Sequence, residues 1–114
     1  MKIEDCQFGS IVINGKRFGS DLIIYPDERI MTCWRRRAGH RLSSEDIAAL
    51  IDSQPEVIIA GTGVNGRVKP EKELLQKLRK KAIEFLPAPN HEAMERYNEL
   101  SAEKRVGACF HLTC

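Results

Sequence analysis

No apolar stretch in this sequence approaches the roughly 18 residues that a membrane-spanning helix needs. Charge of one sign is also scarce. Eighteen Lys and Arg stand against sixteen Asp and Glu, a net charge of +2, which is small for a protein built to grip nucleic acid. Cysteine is limited to four residues, Cys6, Cys33, Cys109 and Cys114, with no C-x-x-C or H-x₃-H pair, so the usual spacing of a zinc site is missing. The opening Met1-Lys2-Ile3-Glu4-Asp5 holds two acids and no apolar core, unlike a secretory leader or an Arg-rich mitochondrial presequence. Reduced thiols and a cytoplasmic location are therefore expected. There is no internal repeat, linker or low-complexity run, and a hydrophobic content of 42% excludes wholesale disorder. A chain of 114 residues suits one domain, residues 1–114, that buries roughly two-thirds of the surface its unfolded form exposes.

What is present has two rhythms. Residues 8–13 are β-rich, and Asn14-Gly15 supplies a two-residue turn with positive φ at both positions, the strongest short hairpin signal. A return strand from Lys16 leads through a bend at Gly19 into an apolar run at residues 21–25. A turn at 26–28 and a strand over 29–34 complete an expected antiparallel meander. From residue 42 helices and strands alternate. Ser43 suits an N-cap, with Leu42 stapling onto Ile47, and Pro55 ends that helix. Residues 57–60 form a wholly apolar strand of the kind buried on both faces. Pro70 fits the first turn of a second helix with Leu74, Leu75, Leu78 and Ala82 on its inner face. A strand at 83–86 follows. Asn90 suits the cap of a third helix facing inward with Ala93, Met94, Tyr97 and Leu100, and residues 106–112 form the last strand. The expected fold class is α/β: an N-terminal antiparallel β region, then αβαβαβ with a mainly parallel sheet.

Four places carry residues with chemistry. Gly61-Thr62-Gly63-Val64-Asn65-Gly66 matches G-x-G-x-x-G after a strand, but Pro70 sets the helix start beyond the motif. No ribose-binding acid ends the next strand either. A tight turn is the plainer reading, and a small anion held by the loop's N–H groups and Arg67 is the intermediate one. Residues 34–41 join Trp34 to four arginines and His40, yet acidic flanks favour a solvated loop meeting an acidic partner over nucleic acid. Cys109 and His111 share a strand face, with Cys114 on the other. A thiol–imidazole pair and an ordinary buried strand fit that pattern alike. Asp21, opening an apolar strand, either pairs with an Arg or His or belongs to the bend at Gly19-Ser20.

These residues form an ordered set. Phe8-Gly9-Ser10, Ser20-Asp21, Tyr25-Pro26-Asp27, Trp34 with its arginines and Gly39-His40 come first. Gly61-Thr62-Gly63, Gly66-Arg67, Tyr97-Asn98 and Phe110-His111-Leu112-Thr113-Cys114 follow. The set resembles the family of the cytosolic adipogenesis-associated domain protein and the mitochondrial complex I assembly factor three. The resemblance implies a compact α/β fold without established catalytic residues or cofactor. It also implies action by association with a partner, as in the mitochondrial member, although the missing presequence separates this chain from that branch.

The expectation is an uncharacterised small cytoplasmic protein acting as a non-enzymatic interaction or assembly factor, with no catalytic residues, cofactor or metal. Its partner is an unidentified protein, with neither nucleic acid nor membrane. The candidate contact or anion surface is Trp34, His40, Gly61, Gly63, Gly66 and Arg67. The alternative is a small-anion binder or cryptic enzyme built on the 61–67 loop, with His40 or His111 as proton carrier.

Overall fold

In the computed structural model, residues 1–37 and 39–113 are described. The expectation for Cys114 lies outside them. The strands are β1 (Ile3–Gln7), β2 (Ser10–Ile13), β3 (Lys16–Phe18), β4 (Leu22–Ile24), β5 (Ile30–Met31), β6 (Arg41–Leu42), β7 (Val57–Gly61), β8 (Lys69–Pro70), β9 (Glu84–Ala88) and β10 (Val106–Phe110). A 3₁₀ turn (Glu45–Ile47) runs into α1 (Ala48–Asp52), and α2 (Lys72–Lys80) and α3 (Asn90–Leu100) follow.

The central sheet has the order β5-β4-β10-β7-β9. Its β10, β7 and β9 are parallel, and β4 and β5 are added antiparallel on one side. Because side chains alternate along a strand, the sheet has two apolar faces. Val57, Ile59, Ala108, Phe110, Leu22 and Ile24 pack against Ala93 and Tyr97 of α3 and the inner residues of the small sheet β1-β2-β3. Ile58, Ala60, Cys109 and Ile23 pack against Trp34, Leu50, Ile51, Leu74 and Leu78. The apolar run at 57–60 is thus covered on both sides, as parallel strands require.

The α/β class, the hairpin at Asn14-Gly15 (φ 49° and 80°) and the three strand–helix alternations agree with the sequence reading. Several details differ, among them the strand expected over 29–34, which shrinks to β5, and the unexpected pair β6 and β8. The first third is not one meander, because β4 leaves the small sheet to pair with β10. The strand β1 was not anticipated. Pro70 lies in β8 rather than in the first turn of α2, where Glu71 precedes the helix. Leu75 is exposed and Ala82 lies past the helix in the left-handed region, so the inner face of α2 narrows to Leu74 and Leu78. The N-cap is Ser44 rather than Ser43, and Ser43 instead closes the helix entrance through a reciprocal pair: Asp46 N–H donates to Ser43 Oγ at 3.3 Å, and Ser43 N–H to Asp46 Oδ2 at 2.9 Å.

Candidate functional site

The carboxyl ends of β7, β10 and β9 lie side by side, at Gly61, Phe110 and Ala88. Parallel sheets commonly bind ligands at this edge. Asn90, two residues beyond β9, ties the edge together. Its Nδ2 donates to His111 O at 2.6 Å, and its Oδ1 accepts Gly63 N–H at 3.0 Å. The side chain expected to cap α3 therefore bridges the segments that follow the other two strands. Gly61 exists for this approach: a Cβ there would stand 2.6 Å from Asn90 Oδ1 and closer still to the Phe110 ring.

Beside this bridge lies the main polar cluster. Asp21, just before β4, takes His111 Nδ1 at 2.8 Å and Arg36 Nη1 at 3.2 Å on Oδ2, and Leu112 N–H at 2.9 Å on Oδ1. Arg36 Nη2 donates to Gly39 O at 2.5 Å, and its guanidinium lies 5.8 Å from the centre of the Trp34 ring. With the His111 proton on Nδ1 facing the carboxylate, Nε2 is free to accept from Thr113 Oγ1, 3.2 Å away. The two donors of Arg36 and His111 converge on one oxygen, so Asp21 neutralises a guanidinium only 7% exposed. The sequence left Asp21 open between pairing with an Arg or His and belonging to the bend at Gly19-Ser20, and in the structure it pairs with both an Arg and a His.

The predicted site residues divide. The segment around His40 meets not the 61–67 loop but the strand that follows it: Lys69 N–H donates to His40 O at 2.8 Å, and β6 pairs with β8 in parallel. His40 and Arg67 are exposed, whereas Gly61 and Gly63 are buried. Trp34 is 6% exposed, with its indole N–H on Asp46 O at 2.8 Å, so most of the ring belongs to the core. The N–H groups of Thr62, Gly63, Val64, Gly66 and Val68 donate within the protein. Arg67 is left as the loop's charged donor. α2 begins at Lys72, beyond β8, so the glycine motif opens no helix and a dinucleotide cradle has no geometry here.

Cys109 is buried and burial pushes its thiol up to about 12, which leaves it protonated and unreactive near neutrality. The thiol–imidazole reading of Cys109 with His111 therefore lacks a thiolate. Arg36, Thr113 and the bridging role of Asn90 were missed. For Arg36 the only signal is its place in an arginine run, and for Asn90 the signal pointed to a cap.

A conserved hypothetical protein from Pyrococcus horikoshii shares 32% identity and a TM-score of 0.87, with both chains fully covered. A protein described as MT938 shares 30% identity and a TM-score of 0.81 over 99% of this chain and 98% of that one. A protein from Bartonella henselae, described as an outer membrane protein, has a TM-score of 0.79 over 98% and 94% of the two chains. At 24% identity it shows the shared fold alone. Among the described residues no helix is long and apolar enough to cross a membrane. No curated protein matches the chain. The family described as protein of unknown function (DUF498/DUF598) matches residues 3–111, and the chain belongs to it.

Proposed function

We propose that this chain is a non-enzymatic interaction or assembly factor of the cytoplasm, using the carboxyl edge of its parallel strands as the contact face. One observation carries the reading. Phe8 is 68% exposed and Val64 is 42% exposed, and both adjoin the same closing segment. Gly9 N–H donates to Leu112 O at 2.7 Å, and Val64 N–H to Thr113 O at 3.3 Å. Single exposed apolar residues are ordinary, but two flanking one short segment make a contact strip. Arg67, exposed on the same loop as Val64, supplies a charged group near the strip, in keeping with the polar rim of a protein contact. The resemblance to the adipogenesis-associated and complex I assembly factor three family supports the same reading, through the partner association of its mitochondrial member.

The test is quantitative affinity capture from native lysate with wild type and with the double variant Phe8→Ser, Val64→Ser. A protein retained by wild type and lost by the variant, at unchanged melting temperature, supports the reading. Identical capture by both overturns it. The small-anion reading of the 61–67 loop is tested separately, by a thermal-shift panel of phosphates, nucleotides and carboxylates on wild type and Arg67→Ala.

A further inference from the structure

Outside that strip, an open recess of about 380 Å³ is lined by Ser20, Asp21, Cys33, Trp34, Arg35 and Arg36. Three observations give it a ligand chemistry. First, Arg36 Nε is the one buried side-chain polar atom without a hydrogen-bond partner among the described residues, on a side chain only 7% exposed. A buried donor without an acceptor is a rarity that asks for one. Second, the arginines of this loop are unequally matched. Arg36 pairs with Asp21, Arg37 with Glu45 and Arg41 with Glu71, while Arg35 makes no ion pair among the described residues. Third, the wall carries two guanidiniums against one carboxylate, an excess of one positive charge that a single carboxylate balances. A dianionic phosphate would leave surplus negative charge beside Asp21.

We propose that this recess is a binding site for a small monocarboxylate, held by Arg35 and Arg36. A carboxylate accepts two roughly parallel N–H bonds from a guanidinium, which makes Arg35 the entering anion's first partner. Ser20 Oγ accepts Cys33 N–H at 2.9 Å, and its own hydroxyl hydrogen adds a donor at the rim. Trp34 and the exposed Cys33 also line the recess, beside the space left for the apolar remainder. The site is distinct from the 61–67 loop, none of whose residues lines it.

Cys33 lines the recess and its backbone N–H donates to Ser20 Oγ there, so the Cys33 amide signal in a nitrogen–proton correlation spectrum reports occupancy. The titration uses butyrate, butyramide as its neutral counterpart, and inorganic phosphate, all at constant ionic strength. Butyrate is expected to shift the Cys33 amide signal saturably and to protect Cys33 from iodoacetamide, read by peptide mass spectrometry. Arg35→Ala, an exposed position, is expected to weaken butyrate about tenfold or more at unchanged melting temperature, and Arg67→Ala to leave it unaltered. A Cys33 amide signal unmoved by butyrate overturns the proposal. So does equal response to butyramide or phosphate, or full affinity in Arg35→Ala.

Discussion

Single atoms decide several features of this protein. Gly61 is held between the Phe110 ring and Asn90 Oδ1, where a methyl group has no room. Gly61→Ala is expected to cost about 2–3 kcal/mol, the usual penalty of overpacking a core that cannot shift, read as a lower urea midpoint at unchanged slope. Cys109 gives a pH prediction. Its thiol titrates near 12 when folded against 9.0 for an ordinary thiol, and burial is the cause. A group whose folded value is raised contributes stability that is complete below pH 9 and lost as pH climbs toward 12. Above pH 9 the unfolding free energy should therefore fall, by at most about 1.4 kcal/mol per pH unit from this one thiol, read as a lower urea midpoint. Cys6, pushed up to about 11 by burial and by neighbouring Asp5, acts in the same direction. Cys109→Ala lowers the starting stability through a small cavity, but its decline above pH 9 is expected to be shallower than that of wild type.

At the scale of elements, sequence legibility follows from local periodicity. β7 was plain because four consecutive apolar residues are buried on both faces, and the first hairpin because Asn14-Gly15 takes positive φ at both positions. β1 was hidden for a physical reason. Its register shifts between Ile3 and Asp5, so the buried residues Ile3 and Cys6 fall three apart and the two-residue alternation is broken. That strand is instead secured from outside. The Asn98 side chain on α3 accepts Ile3 N–H and donates to Ile3 O, both at 2.7 Å, standing in for a missing strand neighbour. No local pattern announces a contact across 95 residues of chain. Asn98→Ala leaves both backbone groups without their partner and should cost roughly 1–3 kcal/mol. Faster amide exchange at Ile3, with β7 amides still protected to the global limit, would show that the loss is local to the β1 edge.

For the whole molecule, the candidate site depends on contacts between distant segments, which is why the sequence offered its parts without their arrangement. Asp21 and His111 could be suspected singly, since each is polar at the end of an apolar strand. That they meet each other and Arg36 follows from β4 pairing antiparallel with β10, a join that the meander expected at the N-terminus did not include. Asp21 thereby fastens the start of β4, the arginine loop and the closing segment at one point. Asp21→Asn keeps the shape and the acceptor for Leu112 N–H but removes the charge opposite Arg36. Asp21 is about one-fifth exposed, so the loss should fall below that of a fully buried pair, at about 2–3 kcal/mol. In a domain of this size that lowers the melting temperature by roughly 10 °C. The cycle with Arg36→Met separates the pair from the fastening. If the ion pair dominates, the double variant should be less destabilised than the sum of its parts, because the unmatched guanidinium has gone. If Asp21 acts chiefly through His111 and Leu112, the two losses should add, and proteolysis should cut residues 111–113 first in both Asp21 variants.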